Sequence, residues 1–200
     1  MSKIKVVAFF GKSGAGKDTM QQYVIDTYDE KVKGIVSCTT RPKRDYEKNG
    51  IDYHYLTTEK FAEKVINGEM LEATEFNGWF YGTSITELDK DKINVGVFNP
   101  AGICAIIADP RLEVLPIEII ASDKTRLLRN LNREASPNCA EICRRYFADE
   151  EDFADLSDLG DFYSIPNDSQ EEIGLFSLAT LENLIEDFMR QGIEVQITSN

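Results

Sequence analysis

The sequence is poor in the side chains that bind zinc or form disulfides. It contains a single histidine, His54, and four cysteines, none of which forms a Cys-x-x-Cys pair. A closed zinc site draws on clustered cysteine and histidine ligands, so this composition argues against one. The 200 residues, 42% of them hydrophobic, can build a core without disulfides. We therefore expect one main domain in a reducing compartment, which we take to be the cytoplasm.

Positive charge is also scarce. The chain has 22 Lys and Arg residues against 35 Asp and Glu, a net charge of −13. Such a surface repels a phosphate backbone, so we expect no nucleic-acid partner. The apolar run Ile4–Phe10 is ended at once by Gly11 and Lys12, so we expect no membrane partner either. A local group of arginines can still bind a small phosphorylated molecule. The sequence does not indicate an oligomeric state.

A glycine-rich loop follows the first predicted strand, Lys3–Phe10, and precedes a predicted helix. Residues 11–17, Gly-Lys-Ser-Gly-Ala-Gly-Lys, fit the pattern GxxxxGK. The glycines let backbone N–H groups surround a phosphate, and the helix N-terminus adds its positive dipole end. Lys17 supplies a mobile charge for the β- and γ-phosphates of ATP. The predicted phosphate-binding set is Gly11, Ser13, Gly14, Ala15, Gly16, Lys17, Asp18 and Thr19.

Asp18 departs from the motif, which usually has Ser or Thr at this position to bind Mg²⁺. An aspartate can serve the same ion directly or through water. It can also simply be favoured at the N-terminus of a helix by the macrodipole. We predict Mg²⁺ as the cofactor, with ATP as co-substrate, and Asp18 as the candidate metal ligand.

Strand-like and helical segments alternate along most of the chain, which is typical of an α/β fold. We predict a P-loop NTPase-type parallel sheet flanked by helices, formed by residues 1–38 and 89–200. Residues 39–88 are richer in aromatics and are predicted to form an inserted small antiparallel substrate lobe. A helical lid is expected at about residues 134–146, within the core.

Three finer predictions concern the C-terminal part. The acidic stretch Asp149–Asp161 is expected to be solvated. Ser169 and Glu172 have the spacing of a capping box, which predicts the start of the last helix. Gly192 is expected to end that helix, with a terminal strand at Ile193–Thr198.

The substrate lobe contains the residue types that bind a nucleoside monophosphate. Arg41 and Arg44, three residues apart, can converge on one phosphate dianion. Tyr53 and Tyr81 can each donate a phenolic hydroxyl to the same phosphate. Glu72 can accept from the adjacent N1–H and amino donors of guanine, which adenine does not present. Taken singly, these residues could equally be solvated charges and core aromatics.

The segment from Ser37 to Tyr53, with Glu72 and the segment from Gly78 to Thr83, resembles the GMP-binding signature of the guanylate kinase family. The resemblance implies a nucleoside monophosphate kinase that converts ATP and GMP or dGMP to ADP and the diphosphate, by Mg²⁺-dependent in-line transfer. It makes the lobe an NMP-binding lobe. The implied GMP-binding set is Ser37, Arg41, Arg44, Glu47, Tyr53, Glu72, Tyr81, Thr83 and Asn99.

The same resemblance implies a mobile lid that brings arginines over the ATP phosphates. Arg129, Arg133 and Arg145 best match the family spacing, and phosphoryl transfer needs such charges. The alternative is a basic helix facing solvent and paired with Glu134 and Glu141. The implied catalytic set is Lys17, Arg41, Arg129, Arg133 and Arg145. Asn167 resembles a family asparagine near the adenine.

One strand departs from the family pattern. Family members have a pair of aspartates where this chain has Val97 and Asn99, and neither side chain holds Mg²⁺ as a carboxylate would. Two alternatives therefore stay open beside the guanylate kinase hypothesis. The first is a catalytically weak or inactive binding module on the same scaffold, and the second is a kinase for another small phosphorylated acceptor.

Overall fold

The computed structural model describes residues 3–43, 47–76, 78–133, 135–168 and 174–197 of the chain. The strands are β1 (Ile4–Phe10), β2 (Val32–Gly34), β3 (Cys38–Thr39), β4 (His54–Tyr55), β5 (Met70–Phe76), β6 (Trp79–Ser84), β7 (Ile93–Val97), β8 (Leu112–Ile120) and β9 (Tyr163–Pro166). The α-helices are α1 (Lys17–Tyr28), α2 (Thr58–Ile66), α3 (Pro100–Ala108), α4 (Asp123–Asn132), α5 (Cys139–Asp152) and α6 (Leu175–Ile197). The predicted alternation of strands and helices is confirmed.

The main sheet has five strands in the order β2-β7-β1-β8-β9, and every pairing in it is parallel. Its central strand, β1, is fully buried from Val6 to Phe10. A parallel strand is covered by helices on both faces, which explains why β1 is apolar throughout its buried part, from Val6 to Phe10. Because β1 is central and leads into α1, the glycine loop is placed at the carboxyl edge of the sheet, where ligands bind in open α/β folds.

Two apolar cores lie on the two faces of the main sheet. On one face, Val7 and Phe9 pack with Met20 of α1 and with Leu181 and Ile185 of α6. The other face is covered mainly by α3, in a separate cluster of Val6, Ala8, Phe10, Ile103 and Ile106. These cores hold α1 and α3 firmly, and both helices begin at the candidate site.

The inserted lobe contains a second sheet of four strands, in the order β4-β3-β6-β5. Strand β6 pairs antiparallel with both β3 and β5, as predicted, but β3 and β4 run parallel. The prediction of an antiparallel sheet was therefore wrong in this respect, and the sheet is mixed. Parallel neighbours need a long connection, and residues 40–53 provide it. That connection carries most of the predicted phosphate-binding residues of the lobe.

Of the predictions for the last helix, two were wrong and one lies outside the described residues. Helix α6 continues through Gly192 to Ile197, so the predicted helix end and terminal strand were wrong. A glycine costs an interior helical position only about 1 kcal/mol, which a helix of this length can absorb. The proposed capping box of Ser169 and Glu172 lies outside the described residues. None of the helices within the described ranges has the length and apolar composition needed to cross a bilayer.

Candidate active site

The phosphate loop joins β1 to α1. Gly11, Gly14 and Gly16 have φ angles of 139°, 80° and 99°, in a region that residues with side chains rarely adopt. All three glycines also lack room for a β-carbon, which at Gly11 would overlap the carbonyl oxygen of Ile119. At Gly14 it would lie 2.6 Å from the carbonyl oxygen of Arg126, and at Gly16 it would overlap the side-chain amide of Asn167. The path of the loop therefore requires glycine at these positions, as the motif predicts.

A cavity of about 460 Å³ opens beside the loop. Lys17 lies on its wall, and the Nζ of this lysine donates a hydrogen bond of 3.2 Å to the carbonyl of Lys12. The loop side of the wall is formed by Ser13, Gly14, Gly16, Lys17, Asp18 and Thr19. Gly11 and Ala15, the other two members of the predicted phosphate-binding set, are buried in the protein. The volume suits part of a nucleotide.

The lid arginines reach the same cavity. Arg129 and Arg133, near the end of α4, line it together with Arg145 of α5. Arg129 is fixed against the loop, because its Nη1 donates to the carbonyls of Gly14 and Ala15 at 3.2 and 3.1 Å. Arg133 is exposed and Arg145 is half-buried. Three cations, two from the end of α4 and one from α5, thus line one space that is open to a phosphate chain.

The alternative of a solvent-facing basic helix holds for a different arginine. Arg144 is exposed and donates to Glu141 at 2.8 Å, one turn earlier on α5. Its neighbour Arg145 is the one directed at the cavity. Glu134, the other partner considered in that alternative, lies outside the described residues.

The surroundings of Lys17 disfavour the charged form of its side chain. Burial lowers the pKa of the Lys17 ammonium, and the negative charges of Asp18 and Asp149 partly oppose this effect. The positive charges of Arg145 and Arg126 act in the same direction as burial. A dianionic phosphate placed among these cations would relieve both the desolvation and the repulsion, so the site favours anion binding.

Asp18 and Thr19 stand on the first turn of α1, exposed and next to Lys17 on the cavity wall. Within the described ranges, no group of three or more His, Cys, Asp or Glu residues is arranged to hold a metal by itself. In nucleotide sites, Mg²⁺ is usually bound by one or two carboxylates together with substrate phosphates. A single carboxylate beside the phosphate loop fits that donor set.

In the inserted lobe, Arg41 is held by a buried carboxylate. Its Nη2 and Nη1 donate to the two oxygens of Glu47 at 2.7 and 3.0 Å. The hydroxyl of Tyr55 donates to the same carboxylate at 2.7 Å, and burial together with this bond raises the pKa of Tyr55 to about 12. The bidentate pair fixes the plane of the guanidinium. Arg44, the second predicted phosphate ligand, lies outside the described residues.

Tyr53 and Tyr81 lie beside Arg41, with their ring centroids 6.1 Å apart. The Arg41 guanidinium lies 5.6 Å from the centroid of the Tyr53 ring. Burial raises the pKa of the Tyr53 hydroxyl, and the negative charge of Asp18 on α1 raises it further. Because the charge of Asp18 acts on Tyr53, the first turn of α1 lies near the phosphate-binding group of the lobe.

At the far end of the lobe, Glu72 of β5 is paired in register with Thr83 of β6. Burial raises the pKa of the Glu72 carboxyl, and hydrogen bonds from Thr83 act in the opposite direction. The Thr83 hydroxyl also lies 3.3 Å from that of Ser37. A carboxylate and two hydroxyls thus converge at one place, as expected for a group that binds the edge of a nucleobase.

Comparison with known proteins shows the family of the chain. The sequence model of the guanylate kinase family matches residues 3–173, which is most of the chain.

The chain belongs to the guanylate kinase family. Curated relatives include the guanylate kinases of Streptococcus pyogenes serotype M3 (strain ATCC BAA-595 / MGAS315) and serotype M18 (strain MGAS8232). Each is 42% identical over 85 residues, which cover 42% of this chain but only 40% of the relative. A crystal structure of guanylate kinase from Anaplasma phagocytophilum has a similar fold, with a TM-score of 0.64 and 24% identity, over 94% of this chain and 88% of that one.

The chain departs from the guanylate kinase pattern at Val97 and Asn99. The side chain of Asn99 makes two hydrogen bonds. The Oδ1 of Asn99 accepts from the backbone N–H of Gly102 at 2.7 Å and so caps α3. Its Nδ2 donates to the hydroxyl of Thr74 at 3.0 Å. Asn99 therefore connects the N-terminus of α3 to β5, the strand that carries Glu72. Its side chain is exposed at this junction.

The roles of Tyr55 and Asp149 near the site were not predicted from the sequence of this guanylate kinase family member. Tyr55, which orients Glu47, carries no signal beyond its place two residues after Tyr53. Asp149 was assigned to a solvated acidic stretch, which was wrong: its Oδ2 accepts from the backbone N–H of Ser13 at 2.7 Å. Its ion pair with buried Arg126, at 2.9 Å, joins two helices and could not be read from either alone.

Proposed function

We propose that the protein is a nucleoside monophosphate kinase that transfers the γ-phosphate of ATP to GMP or dGMP. The observation that carries the proposal is that two unlike binding sets lie near each other, so that the charge of Asp18 beside the loop acts on the Tyr53 hydroxyl of the lobe. One set is a phosphate loop with Lys17 and three arginines, and the other is the Arg41–Tyr53–Tyr81 group with Glu72 beyond it. A donor and an acceptor phosphate held by two such neighbouring sets are placed for direct transfer.

The donor is proposed to bind in the cavity beside α1. Backbone N–H groups of Gly14 and of residues 16–19 surround its phosphates, and Lys17 contacts the β- and γ-phosphates. The N–H groups of Ser13 and Ala15 donate instead to Asp149 and to the carbonyl of Lys12. Asn167 is fully buried, donates to the carbonyl of Ala15 at 2.8 Å, and has no partner for its Oδ1 among the described residues. The bond from Asn167 ties the loop to the segment that follows β9 and so holds the loop in place for the donor.

The acceptor is proposed to bind in the inserted lobe. Arg41, fixed by Glu47, and the hydroxyls of Tyr53 and Tyr81 hold its phosphate. Glu72 accepts from the N1–H and amino group of guanine, supported by Thr83. Adenine presents an acceptor at N1, which would face the carboxylate and leave it desolvated without a donor.

In the reaction, an oxygen of the acceptor phosphate attacks the γ-phosphorus, and the bond between that phosphorus and the β–γ bridging oxygen breaks to release ADP. Arg129, Arg133 and Arg145 are placed to neutralise the equatorial oxygens of the moving phosphoryl group. Mg²⁺, with Asp18 as its protein ligand, would neutralise charge on the β- and γ-oxygens. Approach of the lobe and lid would exclude water and suppress hydrolysis of ATP.

A coupled assay of ADP release tests the proposal, with ATP and each of GMP, dGMP, AMP, CMP and UMP. We expect GMP and dGMP to exceed AMP by at least about 100-fold in kcat/KM. Faster turnover of another monophosphate would refute the choice of acceptor. If calorimetry detected ATP binding but no monophosphate gave ADP, the chain would be a binding module and not a kinase.

A further inference from the structure

A buried arginine that the proposed mechanism does not use lies between the phosphate loop and the lid. Arg126, on α4, is only 2% exposed. Its Nη2 donates to Asp149 at 2.9 Å, and its Nη1 to Asp123 and Glu150 at 2.9 and 3.2 Å. Its Nε donates to the carbonyl of Ser13 at 3.1 Å. Every nitrogen of the guanidinium therefore has a partner, on three different elements.

The same acidic groups also contact the phosphate loop directly. The carboxylate of Asp149 accepts from the backbone N–H of Ser13 at 2.7 Å, so Ser13 is bound through both its N–H and its carbonyl. The side chain of Lys12 pairs with Glu150 at 2.6 Å. The end of α5 is thus attached to the loop by two carboxylates, and Arg126 neutralises both of them.

This attachment affects the residues that face the donor cavity. Arg145, which lines the cavity, lies one helical turn before Asp149 on α5. The position of that turn therefore follows from how α5 is held. The charge of Asp149 also reaches Lys17, where it raises the pKa, while Arg126 lowers it. Without Arg126, a carboxylate would stand uncompensated beside the site for a polyphosphate.

We infer that Arg126 is a positioning residue for the donor nucleotide: it fixes α5, and with it Arg145, on the phosphate loop, and it neutralises Asp149 and Glu150 so that the ATP phosphates can bind. The inference rests on the proposed function, because it takes the cavity as the ATP site. It predicts that the damage caused by losing Arg126 comes largely from Asp149.

The test is a set of four proteins, wild type, Arg126→Met, Asp149→Asn and the double variant, with ATP and GMP binding measured separately by calorimetry. Arg126→Met should weaken ATP binding by about tenfold or more, since an unneutralised carboxylate then faces the phosphates at short range. GMP binding should be unchanged. In the double variant, most of the lost ATP affinity should return, because the unpaired charge has gone.

Two further variants separate positioning from a general loss of structure. Arg126→Lys keeps the charge but not the planar fork, so it should retain more ATP affinity than Arg126→Met and still lower kcat. Arg111→Met removes an exposed arginine from its ion pair with Asp109, remote from the cavity, and should leave ATP binding as it is. If Arg126→Met does not fold, the comparison is made with Arg126→Gln, which also removes the charge, and its double variant with Asp149→Asn.

Three outcomes would overturn the inference. They are a double variant no better than Arg126→Met, an equal loss of GMP and ATP affinity, and a variant at position 126 that binds ATP like wild type. Each of these leaves the proposed kinase activity standing. A wild-type protein that binds no ATP would instead overturn the proposed function, and the positioning role with it.

Discussion

The Glu72 carboxylate lies against the first turn of α3, so closely that a β-carbon added to Gly102 would stand 3.3 Å from its Oε2. The same β-carbon would lie 3.1 Å from the Oδ1 of Asn99. Both distances are shorter than ordinary contacts of a methyl group. The absence of a side chain at Gly102 therefore gives Glu72 the space from which it can face a bound base.

Gly102→Ala should displace Glu72 and raise the KM for GMP by about tenfold, the effect of roughly 1.4 kcal/mol of overpacking. The KM for ATP should not change. Ala101→Ser, at an exposed position on the same turn, is the matched control and should leave both KM values within about twofold of wild type. Steady-state kinetics with each substrate varied in turn measure the two KM values. An unchanged KM for GMP in Gly102→Ala would contradict the close contact between Gly102 and Glu72.

Glu72→Gln should reduce kcat/KM for GMP by at least about 100-fold, because an amide cannot accept from both guanine donors without presenting its own N–H groups. The variant should also unfold at a higher temperature at neutral pH. Burial raises the pKa of Glu72, so the ionised carboxylate costs stability in the folded protein. Glu75→Gln is the control, on the same strand but exposed. A variant that lost stability would contradict this account of burial.

GMP affinity should fall with decreasing pH earlier than an ordinary glutamate would predict. The raised pKa means that Glu72 becomes protonated at a pH above the usual 4.5, and the protonated form cannot accept both guanine donors. Calorimetric titrations of GMP from about pH 8 to about pH 5 measure the effect. The phosphate of GMP titrates in the same range, so the informative quantity is the difference between wild type and Glu72→Gln. Parallel curves for the two proteins would show that Glu72 keeps its charge throughout.

Lys17→Met should lower kcat by about 100-fold to 1,000-fold, because the charge that stabilises the moving phosphoryl group is lost. Its unfolding midpoint at neutral pH should rise. Burial lowers the Lys17 pKa, so the folded state binds its proton less tightly than the unfolded state and stability increases with pH up to the unfolded value. Lys124→Met, exposed on α4, should change neither quantity. Equal loss of activity in both variants would point to net charge as the cause.

Asp18→Ala should abolish Mg²⁺-dependent turnover if Asp18 is the protein ligand of the ion. Calorimetry gives a second readout: in wild type, Mg²⁺ should strengthen ATP binding, and in the variant this gain should be lost. Asp26→Ala, exposed two turns later on the same helix, is the matched control. Unchanged activity and an unchanged effect of Mg²⁺ would assign Asp18 to the helix dipole alone.

The predictions from sequence succeeded where local structure depends on neighbours in the chain. The strand Ile4–Phe10, the glycine loop and the helix from Lys17 form one continuous unit, and their geometry follows from local backbone preferences. The alternation of strand-like and helical segments was sufficient to predict the parallel sheet. The error in the lobe, where β3 and β4 run parallel, concerns the route of a long loop, and no local preference determines that route.

By itself, the sequence determined the phosphate loop and the class of fold, because spacing and periodicity within short segments are enough to specify them. The acceptor motif came from a family resemblance and stays a prediction. Only the tertiary structure decided that Asp149 binds Ser13, 136 positions away, and that Glu72 lies against Gly102. A carboxylate in an acidic stretch is stable in water, and it becomes part of a site only when folding places a buried arginine beside it. That placement depends on how whole helices pack, which the residues of one segment do not specify.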